Sequence, residues 1–176
     1  MIISLTGFMG CGKSCIGKIL SKKLGFKFID LDTWIEEHEG RSVRRIFTEN
    51  GEAGFRRIET TALGEVIEEE GDMVLALGGG TLTSATAATM VHERTECIYL
   101  KAGIDTLVFN LTNWPGDRPM LDGNPDSETL RRRIGELMSQ RESTYGRTAH
   151  IILDIDGKDY GTVSDEIIAL AHILDS

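Results

Sequence analysis

The stretch Gly7-Phe8-Met9-Gly10-Cys11-Gly12-Lys13-Ser14 constrains the fold of this chain more than any other. It matches the pattern G-x-x-x-x-G-K-[ST], which describes a phosphate-binding loop when a strand precedes it and a helix follows. The apolar run at residues 1–5 is typical of a buried strand, and apolar residues recur at helical spacing after the loop. The sequence therefore predicts a loop that binds a nucleoside triphosphate.

Each part of this loop has a physical task. Glycines allow a tight turn whose N–H groups point inward, and the N-terminus of the following helix favours negative charge. Lys13 is expected to reach the β- and γ-phosphates, and the Ser14 hydroxyl is expected to bind Mg²⁺. The nucleotide-binding residues predicted from the loop are Gly10, Cys11, Gly12, Lys13, Ser14 and Cys15.

Composition limits the classes of function. A length of 176 residues fits one domain, and a net charge of −9 argues against a nucleic-acid partner, because binding to a phosphate backbone needs a basic face. No stretch approaches the roughly 18 apolar residues of a membrane span, and the N-terminus enters a strand without a basic leader. Three cysteines form neither an even framework nor a metal spacing. We expect a cytosolic protein with reduced thiols and no membrane partner.

Predicted strands and helices alternate from one end of the chain to the other, which indicates an α/β fold with a parallel sheet covered by helices on both faces. The predicted strands are residues 1–5, 26–32, 73–77, 96–100 and 151–153. The predicted helices follow the loop to residue 24 and then cover about 33–39, 42–50, 51–67, 84–93, 104–111, 127–145 and 163–174.

Two carboxylates end the second predicted strand. Because side chains alternate along a strand, Asp30 and Asp32 are expected on the same side, at the carboxyl edge where open α/β sheets bind ligands. P-loop proteins usually support Mg²⁺ with a carboxylate after another apolar strand. Here the run 73–77 is followed by three glycines, so Asp30 is the predicted metal-supporting carboxylate.

The segment 112–126 contains all three prolines of the chain and shows no periodicity. A loop of this length inside a compact domain is usually functional or disordered. The sequence therefore indicates a loop between two predicted helices that is either functional or disordered.

Several further motifs occur in one order over almost the whole chain. They are Gly7–Ser14, Phe28–Asp32, Ile46-Phe47 with Gly51-Glu52, Phe55–Glu59, Leu77–Gly80, Arg118–Leu121, and Arg141 followed by Tyr145. Together they make the chain resemble the shikimate kinases. The resemblance implies a three-layer P-loop kinase fold with a five-stranded parallel sheet. It also implies one domain over residues 1–176, a substrate-binding segment at about 32–60, a lid at about 112–126, and a monomer.

The resemblance also implies the reaction: transfer of the γ-phosphoryl group of ATP, with Mg²⁺, to the 3-hydroxyl of shikimate, a step of aromatic amino-acid biosynthesis. By the same match, Lys13, Asp32 and Arg118 are the catalytic residues, and Arg118 is the lid arginine that meets the transferring phosphoryl group and the nucleotide. Ser14 and Asp30 are the implied metal residues. The implied substrate-binding residues are Asp32, Arg56, Gly78, Gly79, Gly80 and Arg141, with Glu59 orienting Arg56.

An independent physical reason supports the two arginines. The planar guanidinium group binds a carboxylate through two parallel hydrogen bonds, which suits a small anionic substrate.

One departure from the family concerns the adenine contacts: relatives often carry an arginine pair shortly before the lid, whereas this chain has Phe109-Asn110. Adenine contacts are instead expected from the loop 154–158.

Two other readings remain open from the residues. A related kinase could act on gluconate or on a nucleotide, and a nucleotide acceptor would need a pocket that reads a base. A nucleotide-binding regulatory module is the third reading, and it predicts a defect on the acceptor side. Asp32, Arg56, Gly79, Arg118 and Arg141 are all present, which argues against such a defect.

Overall fold

The computed structural model of the chain describes residues 1–113 and 126–174. Five parallel strands form one sheet, in the order β2-β3-β1-β4-β5. The strands are β1 Ile2–Thr6, β2 Lys27–Asp30, β3 Met73–Ala76, β4 Glu96–Lys101 and β5 Ile151–Asp154. This architecture confirms the predicted α/β fold with a five-stranded parallel sheet.

Seven helices of the described residues flank this sheet. They are α1 Lys13–Leu24, α2 Leu31–Glu39, α3 Val43–Ile67, α4 Ala85–Arg94, α5 Ile104–Asn113, α6 Ser127–Thr148 and α7 Tyr160–Leu174. A 3₁₀ turn at Thr81–Thr83, which the sequence did not predict, joins the glycine stretch to α4. None of the described helices is both long and apolar enough to cross a membrane.

The phosphate loop follows the central strand of the sheet. Strand β1 pairs with β3 on one side and β4 on the other, and four of its five residues are buried. Such burial on both faces is typical of an interior parallel strand. The loop that follows Thr6 therefore starts from a strand that is buried and paired on both sides.

The predicted strand 26–32 is wrong at its end. Strand β2 stops at Asp30, whose carboxylate accepts the Thr33 N–H and caps α2, so Asp32 lies in the first turn of a helix. Asp30 pairs with Ala76, the last residue of β3, and the sheet offers no further partner for Leu31. The proximity of the two carboxylates thus comes from a strand end and a helix start, and not from strand alternation.

The break predicted between residues 50 and 51 occurs inside α3. Gly51 has φ 71° and ψ 174°, which interrupts the helical backbone and separates Val43–Asn50 from the longer second part. Glycine tolerates this left-handed φ because it lacks a Cβ atom. The break redirects the second half of α3, which carries Phe55, Arg56 and Glu59.

The predicted lid lies almost entirely outside the described residues. Residues 114–125 are not described, and Arg118 is among them.

We predict that Gly12→Ala destabilises the protein by about 1–3 kcal/mol, because alanine is strained at positive φ. Gly12 has φ +95°, and a Cβ atom there would lie 2.7 Å from Cε1 of Tyr160. As a control, Gly64→Ala in α3 meets only Met90 Sδ at 3.8 Å, and should stabilise the protein by about 0.5–1 kcal/mol. Urea unfolding measures both values. Equal effects of the two substitutions would contradict the prediction.

Candidate active site

A cavity of about 590 Å³ lies at the carboxyl edge of the sheet. It is lined by residues of the phosphate loop, the end of β2, the start of α2, α3, the glycine stretch Gly78–Gly80, α5, α6 and α7. The lining residues are Met9, Gly10, Gly12, Lys13, Ser14, Cys15, Asp30, Asp32, Val43, Phe47, Phe55, Arg56, Glu59, Leu77, Gly78, Gly79, Gly80, Asn110, Arg141 and Tyr160. Apart from Cys11 and Arg118, every residue predicted for the site lines this one cavity.

The phosphate loop positions its lysine without help from a carboxylate. Lys13 Nζ donates to the carbonyl oxygens of Gly7 at 2.7 Å and Phe8 at 3.2 Å, and the side chain is only 9% exposed. The Cys11 side chain is fully buried, whereas Cys15 is exposed, and both thiols are free. Any contact of Cys11 with a ligand must therefore use its backbone.

Ser14 and Asp30 are directly joined, because the Ser14 hydroxyl donates to Asp30 Oδ2. The other carboxylate oxygen, Oδ1, accepts the Thr33 N–H at 3.2 Å. Hydroxyl and carboxylate oxygens are ligands that Mg²⁺ accepts, usually together with water and substrate phosphates. Among the described residues no three His, Cys, Asp or Glu side chains form a metal cluster. The pair fits an ion that takes most of its ligands from a bound nucleotide.

The three glycines after β3 allow charged side chains to approach the backbone closely. A Cβ atom at Gly80 would lie 2.2 Å from Arg56 Nη2, and one at Gly79 would lie 3.6 Å from Arg141 Nη1. At Gly78 a Cβ atom would lie 3.0 Å from Glu59 Oε2, 3.1 Å from Thr81 Oγ1 and 3.2 Å from Asp32 Oδ1. Any larger residue at position 80 would displace Arg56.

Arg56 is held by an ion pair inside the fold. Its Nη1 donates to Glu59 Oε1 at 2.8 Å, and Glu59, which is 1% exposed, accepts the Thr81 hydroxyl at 2.9 Å on its other oxygen. The guanidinium group also lies 5.2 Å from the ring centroid of Phe55 and 5.8 Å from that of Phe47. These contacts fix the orientation of the arginine before any ligand is bound.

Two guanidinium nitrogens are buried without a protein partner. They are Arg56 Nε and Arg141 Nη1, each without a hydrogen-bond acceptor among the described residues. Arg141 is only 4% exposed, and its guanidinium carbon lies 6.0 Å from the ring centroid of Phe8. An unsatisfied buried donor is costly, especially on a charged group. The two arginines are therefore prepared for an anion, and a carboxylate matches their planar donors.

Burial raises the pKa of Asp32 from 3.8 to about 7, and the neighbouring carboxylates of Glu59 and Asp30 act in the same direction. The cations of Lys13 and Arg56 lower this pKa in part. A carboxylate with a pKa near neutrality can accept a proton at working pH, and a perturbed group in a cleft is a functional candidate.

Sequence reasoning did not assign three contacts around the cavity. Asn110 Nδ2 donates to the Gly10 carbonyl at 2.7 Å, the Tyr160 ring covers Gly12, and the Tyr145 hydroxyl donates to the Gly79 carbonyl. These partners are 100, 148 and 66 positions apart in the chain. No local pattern could have revealed them, although the motif Arg141 with Tyr145 did draw attention to one of these residues.

Phe109, Asn110 and the loop 154–158 are the residues that the sequence analysis considered for contacts with adenine. The side chain of Phe109 is 60% exposed, and Asn110 is directed to the phosphate loop. In the loop 154–158, Asp156 accepts the Gly103 N–H at 3.0 Å and the Thr106 hydroxyl at 2.8 Å. The loop is thus anchored to the start of α5.

A sequence model of the shikimate kinase family matches residues 9–172 of the chain. Among curated proteins, the chain is 41% identical over 171 residues to "Shikimate kinase" of Chlorobaculum tepidum, covering 94% of this chain and 87% of that protein. It is 39% identical over 170 residues to "Shikimate kinase" of Chlorobium chlorochromatii, with coverage of 94% and 88%.

Solved structures of the same family have the same fold. Shikimate kinase from Bacteroides thetaiotaomicron aligns with a TM-score of 0.89 at 33% identity, covering 100% of this chain and 99% of that one. Shikimate kinase from Acinetobacter baumannii in complex with shikimate also gives a TM-score of 0.89, at 29% identity, with coverage of 97% and 92%.

We predict that Asp32→Asn becomes progressively more stable than the wild type as pH rises from about 4 to 7. In the wild type, the raised pKa means that the folded state keeps a proton that the unfolded state releases. The resulting stabilisation is complete below the unfolded pKa and is lost as pH rises through the folded pKa, by up to about 1.4 kcal/mol per pH unit. Asparagine cannot ionise and removes this dependence.

Urea unfolding of Asp32→Asn and wild type at pH 4, 5.5 and 7.5 measures the effect. The control Asp165→Asn removes an exposed carboxylate that pairs with Lys23, and should not show the same widening. A stability difference between Asp32→Asn and wild type that stays constant with pH would show that Asp32 ionises normally.

Proposed function

This chain belongs to the shikimate kinase family, and we propose that it transfers the γ-phosphoryl group of ATP to the 3-hydroxyl of shikimate, forming shikimate 3-phosphate and ADP. Membership of the family makes it an ATP-dependent kinase of aromatic amino-acid biosynthesis. The observation that carries the choice of acceptor is the pair of buried, unpartnered nitrogens on Arg56 and Arg141. These positively charged donors favour the binding of an anion in the cavity, which the phosphate loop also lines.

Shikimate matches the acceptor half of the cavity chemically. Its carboxylate supplies the acceptor atoms that the two arginines lack, and its hydroxyls suit Asp32 and the backbone of Gly79 and Gly80. Arg56 is already oriented by Glu59, so little side-chain entropy is lost when the substrate binds. These three sets of contacts would hold a small, rigid ring in one orientation.

Asp32 is proposed to orient the acceptor hydroxyl and to receive its proton during transfer. The raised pKa favours a base that is matched to neutral pH. Phosphoryl transfer depends mainly on positioning and on stabilising charge, so orientation of the hydroxyl is the larger contribution.

The donor half is proposed to hold the triphosphate along Gly10, Cys11 and Gly12 and the start of α1. Lys13 would exchange the carbonyl oxygens of its own loop for phosphate oxygens. That exchange keeps the ammonium group paired before and after binding, which lowers the cost of burying it. Cys15 and, from the segment outside the described residues, Arg118 are proposed as further nucleotide contacts.

Ser14 and Asp30 are proposed to hold Mg²⁺, Ser14 directly and Asp30 as its supporting carboxylate. When bound, the ion would neutralise part of the charge on the β- and γ-phosphates. The residues of this chain contribute by holding the Ser14 hydroxyl against the Asp30 carboxylate beside the phosphate loop.

Three alternatives are a gluconate kinase, a nucleotide kinase and a regulatory module without catalysis. Gluconate also carries a carboxylate, so competition between shikimate and gluconate is the direct comparison. A nucleoside monophosphate would present a phosphate and a base; the acceptor half offers the rings of Phe47 and Phe55, but these already lie beside the guanidinium of Arg56. A regulatory module without catalysis would have no need of unpartnered arginines beside the glycine loop.

We further propose that the enzyme acts as a single domain and a monomer in the cytosol. The substrate-binding segment would extend over about residues 32–60, and the lid over about 112–126. A small-molecule acceptor requires neither a nucleic acid nor a membrane surface.

We predict that Arg141→Met raises the KM for shikimate on the order of 10²-fold while leaving ATP binding nearly unchanged, because a charged hydrogen bond to the substrate is lost. Arg141 is preferable to Arg56 for this test, since its removal leaves no buried carboxylate unpaired. Methionine also keeps an apolar stem near Phe8. Coupled ADP release and nucleotide titration give the two constants.

The matched control is Arg57→Met, which removes an exposed arginine next to Arg56. It should leave both constants within about twofold of wild type, as most surface substitutions do. A folded wild-type protein that binds ATP but does not turn over shikimate would refute the proposed function.

We predict that Asp30→Asn raises the Mg²⁺ concentration for half-maximal turnover about tenfold, as loss of an outer-shell ligand partner typically does. Asparagine keeps one oxygen, which can accept the Thr33 N–H and cap α2, while its amide group can donate to the Ser14 hydroxyl. The substitution therefore removes the charge and reverses the hydrogen bond with Ser14. Asp72→Asn, which removes an exposed carboxylate bound to the N-terminal amine, is the control. An unchanged Mg²⁺ dependence would exclude Asp30 from metal support.

A further inference from the structure

The hydroxyl group of Tyr145 makes a hydrogen bond to the loop Gly78–Gly80, on the side of the loop away from the cavity. Tyr145 lies on α6, one turn after Arg141, and is 2% exposed. Its ring packs on Tyr99, with centroids 5.2 Å apart, and its hydroxyl donates to the Gly79 carbonyl oxygen. Tyr145 does not line the cavity, whereas Gly79 and Gly80 do. The hydrogen bond therefore holds the side of the loop that faces the protein interior.

Hydrogen bonds hold the carbonyl groups on either side of the Gly79–Gly80 peptide: the Gly78 carbonyl accepts the Thr81 N–H at 3.3 Å, and the Gly80 carbonyl accepts the Thr83 N–H at 3.1 Å and the Thr83 hydroxyl at 2.6 Å. Among the described residues, the peptide between them is bonded only through its own carbonyl, by Tyr145. Glycine accepts a wide range of φ and ψ, so three consecutive glycines allow the peptide between Gly79 and Gly80 to rotate. Within residues 1–113 and 126–174, the N–H groups of Gly79 and Gly80 donate to no protein acceptor. These two donors are therefore available to a ligand, provided that the peptide keeps its orientation.

Peptide geometry links this tyrosine to the ligand side of the loop. The Gly79 carbonyl and the Gly80 N–H belong to one planar trans unit, in which the two bonds point in opposite directions. Fixing the carbonyl toward Tyr145 therefore directs the Gly80 N–H to the opposite side of the peptide, away from the Tyr145 hydroxyl. We propose that Tyr145 is a positioning residue for the acceptor, which prevents rotation of the Gly79–Gly80 peptide and so aims the Gly80 N–H at the substrate.

The hydrogen bond from Tyr145 also sets the distance between the glycine backbone and the Arg141 side chain, the two groups proposed to bind the acceptor. Arg141 and Tyr145 share one face of α6, so the carbonyl bond fixes the glycine backbone relative to the Arg141 guanidinium group. Burial raises the pKa of Tyr145, so the hydroxyl remains a protonated donor throughout the neutral range. The restraint is therefore present whenever the enzyme is active.

The test is Tyr145→Phe, which keeps the ring and removes only the hydroxyl. The KM for shikimate should rise about three- to tenfold, the range expected for one hydrogen bond, with kcat and the KM for ATP unchanged. The control Tyr99→Phe removes the hydroxyl of the other ring in the pair, whereas the hydrogen bond to the Gly79 carbonyl comes from Tyr145. It should leave the KM for shikimate unchanged, because ring packing alone does not orient the peptide.

This inference rests on the proposed function, and the two can fail separately. If wild-type protein does not turn over shikimate, the proposed function fails. If the wild type is active but Tyr145→Phe keeps its KM for shikimate, raises both KM values equally, or is matched by Tyr99→Phe, the positioning role is wrong.

A measurement on the unaltered protein covers the case in which Tyr145→Phe does not fold. With ¹⁵N-glycine labelling, the Gly80 amide resonance should shift on titration with shikimate and should become protected from hydrogen exchange. A Gly80 amide that neither shifts nor gains protection at saturating shikimate would overturn the assignment.

Discussion

The acceptor half of the site depends on the buried carboxylate of Glu59. A buried charge is tolerated only when it is paired and hydrogen-bonded, and Glu59 meets this requirement with Arg56 on one oxygen and Thr81 on the other. One side chain thereby connects α3 to the turn that follows the glycine loop. It also repels the Asp32 carboxylate and helps to raise its pKa. Glu59 thus both orients Arg56 and adds to the effect of burial on the pKa of Asp32.

The two halves of the cavity differ in how their cations are prepared. Lys13 is satisfied by carbonyl groups of its own loop, so it can exchange them for phosphate oxygens. Arg56 and Arg141 instead each retain a buried nitrogen without a partner. Unmet hydrogen bonds of this kind reduce the stability of the free protein, and they are retained where a ligand supplies the missing acceptor. Lys13 is therefore fully paired without a ligand, whereas Arg56 and Arg141 would gain their missing acceptors only in the proposed complex with an anion.

The sequence predicted the local elements well and their junctions less well. The phosphate loop, the five strands and the break at Gly51 follow from spacing and from glycine chemistry, which are local properties. Asp32 was placed on the wrong element, because the end of β2 depends on how far β3 extends beside it and on the Asp30 cap that starts α2. The contact of Tyr145 with Gly79 was not predicted, since it joins residues 66 positions apart.

The sequence by itself determined the chemistry that is available: a glycine loop with Lys13 and Ser14, two aspartates after a strand, and arginines within family motifs. Only the tertiary structure decided which of these groups are buried together in an environment of low polarity. The raised pKa of Asp32, the pairing of Glu59 and the unpartnered nitrogens of Arg56 and Arg141 all arise from burial against distant elements. Desolvation depends on every neighbour in three dimensions, and a linear pattern does not contain that information.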